Sequence, residues 1–435
     1  MNREADRSEE AKFSNGFGFA FRALGDRNYR LLFWPQMLSL CGNWMQHTAQ
    51  GWLVYRLSGS TTWLGFITFL TLFPIFLLGL WAGAVGDRHP RKPIVWAVNA
   101  AAAIQAILLG TLALTGNLTL PLLAVLALSL GVLNAFEIPN RQAFVVDLVP
   151  ANTLPSAMAL NSSAFNLARL IGPLLGGLLI SWKGEAVCFL LNALTYAPVL
   201  VGLAWTRPPT LIREARNGNL WRSLCEGLSH LSNRPHFRSA LALVATTSFF
   251  GIWFPSFLPA IAKDTHGGGP FTLGLMLSSV GLGSLIGAFR LASLSDTMGL
   301  GRRAGLGAIG FSVGLVGFPH LSSLILSMAV LFGMGYAMVT LNVGVNTLTQ
   351  TLAPMELRGR IASVYTVSLL GVGPVGALLA GALADWVGLP LVLTSGGLGA
   401  LSGALFLYSG ISKGGTDSDS TQRENSRIVK EPSFE

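Results

Sequence analysis

The chain has 435 residues, of which 51% are hydrophobic and only 11% are charged. A soluble globular protein carries roughly 25% charged residues because its surface must be wetted. This composition therefore excludes an ordinary soluble protein and indicates that most of the surface faces lipid. The three cysteines, Cys41, Cys188 and Cys225, are odd in number and lack metal-ligand spacing, so neither a disulfide framework nor a metal site is predicted.

Apolar runs of membrane-spanning length recur along the chain, separated by short polar breaks. A transmembrane helix needs about 20 predominantly apolar residues, and lipid tolerates glycine and proline within it. The sequence predicts an all-α integral membrane protein with twelve transmembrane helices in two six-helix pseudo-repeats. They are expected near residues 31–56, 61–86, 93–115, 119–146, 156–181, 185–205, 238–262, 269–294, 303–320, 322–350, 360–384 and 388–411.

The basic residues lie in alternate loops. They occupy the two tails, the central loop and the loops after the second, eighth and tenth spans, whereas the opposite loops contain few beyond Arg56, Lys183 and Lys263. Because positive residues remain on the cytoplasmic side, we predict that both termini and the central loop are cytoplasmic. The net charge of +9 is then a topology signal and does not indicate nucleic-acid binding.

The two halves of the chain resemble each other at ordered positions, which indicates an internal repeat. Tyr29-Arg30 matches Phe237-Arg238, and Gly172-Pro173 matches Gly373-Pro374. Parallel repeats of six spans are a transporter architecture with the binding site near the bilayer midplane. The predicted division is an N-terminal bundle with its tail over residues 1–205, a cytoplasmic linker lying on the membrane surface over 206–236, a C-terminal bundle over 237–412 and a disordered cytoplasmic tail over 413–435.

The loop after the second span contains the sharpest motif, Gly-Ala-Val-Gly-Asp-Arg-His-Pro-Arg-Lys over residues 83–92. It resembles the Gly-x-x-x-Asp-Arg-x-Gly-Arg-Lys signature of the major facilitator superfamily, with Pro90 in place of the usual glycine. In that family the motif is a cytoplasmic latch to spans four and eleven. This sequence has a degenerate second copy after span eight, which retains Asp296. The alternative interpretation is a positive-inside stop signal. The latch residues that the resemblance implies are Gly83, Asp87, Arg88, Arg91, Lys92, Asp147 and Asp296.

Span five contains a second motif, Gly-Pro-Leu-Leu-Gly-Gly over residues 172–177. It resembles the Gly-Pro-x-x-Gly-Gly core found on that span in antiporters of the superfamily, although Ala168 replaces an upstream glycine. Its glycines allow helices to approach closely, and its proline removes a backbone donor. The resemblance implies export, while small-residue packing alone is the alternative. The motif residues are Gly172, Pro173, Gly176 and Gly177.

Two further blocks indicate a branch of the superfamily. Residues 137–141 followed by 154–161, together with the opening block 26–30, are similar to the branch of enterobactin-type siderophore exporters and macrolide efflux proteins. This resemblance implies a functional monomer in a bacterial cytoplasmic (inner) membrane that exports small amphiphilic or aromatic compounds, with lipid, protons and the small-molecule substrate as its partners. No cofactor is expected, because the proton gradient supplies the energy.

Three other functions are alternatives to export. An importer on the same scaffold is the main alternative, and a membrane-embedded enzyme or a sensor is less favoured. The sequence contains neither an ATP-binding loop nor a catalytic cluster, so we predict that the protein is not an enzyme.

Charged residues within predicted spans are candidates for coupling. A charge at the bilayer centre costs on the order of 3 kcal/mol or more, so it usually faces a cavity or a partner. We hypothesise that Glu137 on span four exchanges a proton, with Arg141 or Arg169 adjusting its proton affinity. The alternative is a static ion pair within the membrane.

Polar side chains at helical spacing predict a substrate path. Spans one, four, five and ten carry such stripes. In this superfamily the first and fourth spans and their counterparts in the second half line the central cavity. Interhelical hydrogen bonding is the alternative for each residue. The predicted cavity residues are Asn43, Gln46, His47, Gln50, Asn134, Asn166, Trp253, Asn342 and Asn346.

Overall fold

The protein, seen in a computed structural model, consists of helices joined by turns within the residues that the structure describes, 21–207, 235–293, 299–352 and 358–428. The chain divides into two compact units, one of Met1–Gln50 and Leu77–Arg216, the other of Gly51–Phe76 and Asn217–Glu435. Residues 51–76, which the sequence analysis assigns to the amino-terminal bundle, thus group with the second unit. The predicted linker 206–236 lies outside the described residues from position 208 to 234.

The helices before the central loop begin and end at residues suited to those positions. Pro121 and Pro155 lie in the first turns of the fourth and fifth helices, where a missing backbone N–H costs nothing. Gly184 separates the fifth and sixth with a φ of +83°, which favours glycine. The helices are α1 (Arg27–Ser58), α2 (Thr61–Arg88), α3 (Arg91–Leu114), α4 (Leu120–Leu148), α5 (Leu154–Lys183) and α6 (Glu185–Trp205).

The first unit is held together by helix packing around α3. This helix packs against α4 and α6, and α5 packs against α6. Tyr29, Phe144 and Leu203 are fully buried in a core that α1, α4 and α6 share. Burial of such side chains stabilises the helical bundle by van der Waals contact.

Two predicted spans of the second half are interrupted. The span expected at 238–262 continues beyond its first helix as a 3₁₀ turn (Phe254–Phe257) and a π-helical turn (Ile261–Thr265), because Pro255 and Pro259 cannot donate backbone hydrogen bonds. The span expected at 360–384 is broken before Gly373-Pro374. The helices are α7 (Pro235–Phe250), α8 (Pro270–Ala292), α9 (Leu300–Gly317), α10 (Leu324–Leu352), α11 (Arg358–Leu370), α12 (Gly373–Val387) and α13 (Leu389–Ile428).

Ten helical stretches within the described residues are long and apolar enough to cross a membrane. The predicted spans at 31–56 and 303–320 are helical as α1 and α9 but are less apolar, since α1 carries several amides and α9 carries two arginines and several glycines. The count of twelve spans therefore stays a prediction. Large apolar side chains are exposed on the helices, with Ile325 and Phe406 more than four-fifths exposed, as lipid-facing residues are.

The last helix extends into the predicted tail. The tail after Lys413 is polar and was expected to be disordered, whereas α13 continues as helix to Ile428. Extending an existing helix adds one hydrogen bond per residue without a new nucleation cost, so a polar segment can follow an apolar span as helix.

Candidate functional site

The motif over residues 83–92 lies where α2 ends and α3 begins. Arg91 donates hydrogen bonds to both carboxylate oxygens of Asp147 on α4, at 3.0 and 3.2 Å, and to Asp87 at 2.8 Å. The side chains of Arg91 and Asp147 are 15% and 9% exposed, whereas that of Asp87 is 56% exposed. Charge-assisted bonds of this kind are the strong ones. We call Asp87, Arg91 and Asp147 the α2–α4 charge cluster.

The other motif residues have separate surroundings. Lys92 donates to the carbonyl oxygens of Ala204 and Thr206 at the end of α6, at 3.1 and 2.7 Å, where a cation complements the helix dipole. Arg88 is exposed. Gly83 lies beside α4, and Asp296 of the second copy lies outside the described residues.

A close contact between α2 and α4 adds two residues that the sequence analysis does not select. Asn140 is 1% exposed and donates to the carbonyl oxygens of Ala82 and Phe136 at 3.2 and 2.8 Å. A Cβ on Gly86 would lie 1.8 Å from Oδ1 of Asn140, so only glycine permits this approach. Gly86 is the fourth residue of the motif over residues 83–92, so its place in the motif could have identified it as a candidate.

Glu137 and Arg141 form an ion pair along one face of α4. Nε of Arg141 donates to a Glu137 carboxylate oxygen at 2.6 Å, and the two side chains are 13% and 16% exposed. Asn134, three residues earlier on the same face, is half-buried. The pair joins an acid and a base within a helix of membrane-spanning length and hydropathy.

Arg169, the third predicted intramembrane charge, lies on α5 over an aromatic ring. Its guanidinium carbon is 5.6 Å from the ring centroid of Trp44 on α1, within the range of a cation–π interaction. The rings of His47 and Phe165 contact Trp44 edge-on, at 5.9 and 5.8 Å between centroids. Asn166 donates to the Ser162 carbonyl of its own helix at 2.9 Å.

The amides predicted on α1 belong to a hydrogen-bonded network inside the first unit. Asn192 on α6 donates to Asn43 at 3.1 Å and to Gln46 at 2.8 Å. Tyr196 also donates to Asn43, at 2.7 Å, and Gln46 donates to Gln105 on α3 at 3.2 Å. These bonds join α1, α3 and α6. Gln50, one turn beyond Gln46, is 7% exposed.

The glycine motif of α5 lies against α1. A Cβ on Gly172 would lie 2.5 Å from Cβ of Trp44 and 2.9 Å from the Cys41 carbonyl oxygen, and one on Gly176 would lie 3.2 Å from the Met45 carbonyl oxygen. The absence of side chains thus lets α1 and α5 approach closely. Pro173 and Gly177 are buried in the same helix.

The predicted cavity residues of the second unit differ in exposure. Trp253 is 5% exposed and donates its indole N–H to the Phe249 carbonyl at 2.7 Å. Asn342 is half-buried, and its backbone carbonyl accepts a bond from Tyr365 at 2.9 Å. Asn346 lines a cavity of about 390 Å³ together with Thr347, Gln350 and Thr351.

Asp385, near the end of α12, holds the start of α2 within the second unit. One carboxylate oxygen accepts bonds from the backbone N–H and the hydroxyl of Thr61, at 2.7 and 2.6 Å. The other accepts from the Thr62 N–H at 3.2 Å and from the Ser60 hydroxyl. The carboxylate therefore caps a helix distant in sequence. Asp385 was not predicted as a site residue, because it belongs to none of the motifs in the sequence.

A second carboxylate contact involves Tyr55, a few residues before the start of α2. The Tyr55 hydroxyl, close to the end of α1, donates a hydrogen bond to Asp264 in the π-helical turn, and Lys263 lies over the Tyr55 ring at 5.6 Å from its centroid. Both contacts belong to the second unit.

The helices and their exposed apolar surfaces are those of a multi-pass membrane protein, and its relatives place it among the transporters of the major facilitator superfamily. More narrowly, the chain belongs to the transmembrane secretion effector family, whose model matches residues 19–433. The predicted resemblance to the superfamily is thereby confirmed.

Curated relatives of similar length are transporters. The chain is 24% identical over 386 residues to the staphyloferrin A transporter of Staphylococcus aureus, covering 87% of this chain and 95% of the relative. It is 27% identical over 381 residues to the multidrug efflux pump Tap of Mycolicibacterium fortuitum, covering 82% and 90%. The relatives are named for a siderophore and for drugs, the two substrate groups of the predicted branch.

Solved structures share the fold at low identity. A bacterial homologue of the human lysosomal transporter Spinster aligns with a TM-score of 0.67 at 15% identity, covering 90% of this chain and 98% of that one. A D-xylose-proton symporter aligns with a TM-score of 0.65 at 15% identity, covering 92% and 99%. These likenesses concern the fold alone.

Proposed function

We propose that the protein is a proton-driven exporter of small amphiphilic or aromatic compounds, working by alternating access with both termini in the cytoplasm. The observation that carries this proposal is the Glu137–Arg141 pair at 2.6 Å within α4. An acid and a base joined inside a membrane span can change partners when the carboxylate takes up a proton, because protonation removes the charge that holds Arg141.

Proton movement supplies enough energy for concentrative export. One charge crossing a membrane potential of 100 mV releases about 2.3 kcal/mol, and about 1.4 kcal/mol corresponds to a tenfold concentration ratio. One proton per cycle therefore supports a gradient of several tens. In the proposal, Glu137 releases its proton on one side of the membrane and takes up another from the opposite side.

The α2–α4 charge cluster is proposed to act as a cytoplasmic latch. Arg91 joins a nearly buried carboxylate on α4 to an exposed one at the end of α2, so its bonds can form and break as these helices move. The likeness of the motif to the signature of the superfamily supports this role. The alternative is that the basic residues only set topology.

The substrate class and the direction rest on two supports. The relatives include a siderophore transporter and a multidrug efflux pump, and aromatic side chains, among them the 44%-exposed Phe165, lie beside Arg169. Import is the second candidate, because the same fold occurs in a D-xylose-proton symporter.

Transport into inverted membrane vesicles tests the proposal. Vesicles with an acidified interior are given a panel of a fluorescent dye, a macrolide and a catecholate siderophore. We expect uptake that a protonophore abolishes and that Glu137→Gln reduces by roughly tenfold or more, because the amide carries no exchangeable charge. Glu185→Gln, a matched carboxylate-to-amide change at the start of α6, should leave uptake unchanged.

Three results would contradict the proposal in different ways. Full uphill uptake by Glu137→Gln would exclude the coupling role of Glu137. Accumulation in right-side-out vesicles, without uptake into inverted ones, would make the protein an importer. Silence of the folded protein in both orientations would remove support for the substrate class.

A further inference from the structure

Arg169 is a charge in the middle of a membrane-spanning helix. It lies near the centre of α5, roughly 20 Å along the axis from either end at 1.5 Å per residue. A cation at this depth costs several kcal/mol unless a cavity or an anion accompanies it. A water-filled cavity or an anion is therefore expected beside Arg169.

Within the described part of the chain, Arg169 makes neither an ion pair nor a hydrogen bond; its contact is the ring of Trp44. Arg141, by contrast, is neutralised by Glu137 at 2.6 Å, and Arg91 by two aspartates. A guanidinium has five N–H donors and no acceptor. The Trp44 ring contacts the guanidinium through its π face and offers no nitrogen or oxygen acceptor to those donors.

The position of Trp44 beneath Arg169 is built into the packing of α1 on α5. Gly172 lies one helical turn after Arg169, and a Cβ there would be 2.5 Å from Cβ of Trp44. The missing side chain thus allows α1 to come close enough for the indole to lie over the guanidinium. The glycine motif of α5 and the Arg169 contact are parts of one arrangement.

The surroundings of Arg169 present aromatic surface. Phe165, one turn before Arg169 on α5, is 44% exposed, and His47 is exposed beside Trp44. Both rings contact Trp44 edge-on. A planar ring bound beside Trp44 can stack on these aromatic side chains. The Arg169 guanidinium belongs to the same group of side chains.

We propose that Arg169, Trp44, His47 and Phe165, the Arg169 site, bind an aromatic organic anion, with the guanidinium on its carboxylate or catecholate and the rings on its planar body. This inference rests on the proposed function and narrows its substrates from amphiphilic compounds in general to anionic ones. The chemistry is that of a planar, bidentate cation, which matches a carboxylate or a pair of adjacent oxygens better than an ammonium does.

A matched pair of small probes tests the site. The full-length protein, purified in a neutral maltoside detergent, is titrated calorimetrically at pH 7 with 2-naphthoate and with 2-naphthamide, which share a ring system and differ in charge. We expect naphthoate to bind roughly tenfold or more tightly than the amide, since charge-assisted bonds are about twice as strong as neutral ones.

Variants assign the preference to Arg169. Arg169→Gln should lower naphthoate affinity by roughly tenfold or more and leave naphthamide within about twofold. Arg169→Lys should fall between, because it keeps the charge and loses the fork. Arg290→Gln, which removes an exposed arginine near the end of α8, is the control and should bind like the unaltered protein. Thermal melting shows that each variant is folded.

The same anion chemistry also occurs in lipid headgroups. The titration is therefore repeated in nanodiscs containing anionic phosphatidylglycerol. Headgroups lie at the edges of a hydrocarbon core about 30 Å thick, so we expect the naphthoate affinity to be retained. Loss of naphthoate binding in these discs would assign the site to lipid and overturn the proposal.

Other outcomes also overturn the proposal. Equal affinity for the two probes, no naphthoate binding to the folded protein, or an unchanged affinity in Arg169→Gln would each do so. Because binding in detergent needs no proton gradient, these results are separate from the vesicle experiment. Export without anion preference would refute the Arg169 site alone, and anion binding without proton-driven uptake would refute the exporter alone.

Discussion

The two ends of α2 are held by carboxylates in different ways. At the end of the helix, Asp87 and Asp147 share the cation Arg91, which forms three charge-assisted bonds with them. At its start, Asp385 accepts bonds from the backbone N–H groups of Thr61 and Thr62 and from the hydroxyls of Ser60 and Thr61.

The difference shows which kind of contact a sequence reveals. Opposite charges placed in a short loop form a motif, and the α2–α4 charge cluster follows from it. A carboxylate that caps the first turn of a helix distant in sequence accepts bonds from N–H groups that every helix start leaves unsatisfied. No particular residue type at the helix start therefore reveals the contact. Three substitutions, in order of expected effect, test whether the two ends also differ in energy.

Arg91→Met should have the largest effect. It leaves the 9%-exposed Asp147 carboxylate without its cation, and breaking a buried pair on one side costs about 3–5 kcal/mol. Thermal unfolding of the purified protein, followed by size-exclusion chromatography after heating, measures the loss. Arg88→Met, an exposed arginine of the same motif, is the matched control. Full stability of Arg91→Met would show that the cluster contributes no net energy.

A second variant tests how that loss arises. Combining Arg91→Met with Asp147→Asn should recover part of the stability, because the buried carboxylate charge to which Arg91 is bonded is then removed as well. Additive losses would mean that Arg91 stabilises the protein through contacts other than Asp147.

Gly86→Ala should have an intermediate effect. The added methyl would lie 1.8 Å from Oδ1 of Asn140. Either the Asn140 side chain moves and gives up its bonds to Ala82 and Phe136 or the two helices separate, and overpacking of this kind costs about 1–3 kcal/mol. Gly79→Ala on the same helix is the control, because a Cβ there meets nothing within 4 Å. Equal thermal midpoints for the two variants would contradict the close packing of Gly86 on Asn140.

Asp385→Asn should have the smallest effect of the three, about 1 kcal/mol, which is the usual cost of losing a helix cap. The amide keeps one acceptor oxygen and presents a donor in place of the other, so the bond from either the Thr61 or the Thr62 N–H group is lost. A double-mutant cycle with Thr61→Val measures the coupling, and the two losses should not add. Strict additivity would show that the Thr61 hydroxyl and Asp385 act independently.

Several features of the fold and of the candidate site followed from local sequence. The spacing of apolar runs located the helices, and the proposed pairing partner of Glu137 lies one turn away, as Arg141 does in the structure. Asp147 was predicted from the resemblance to the family, and it forms an ion pair with Arg91. The predicted polar stripe of α1 was also found, although its hydrogen bonds to Asn192, Tyr196 and Gln105 were not.

By itself the sequence determined the membrane-embedded, helical character of the protein and its superfamily, because composition, apolar run length and a charged loop motif are local properties. The tertiary structure alone decided the partners of Gly86, Asp385 and Arg169. In a membrane protein the lipid-facing and most packed helix faces are both apolar, so hydropathy does not record how one helix is rotated against the next. Rotation and close approach decide which glycine meets a neighbour, which carboxylate caps a helix and which arginine lies beside an aromatic ring.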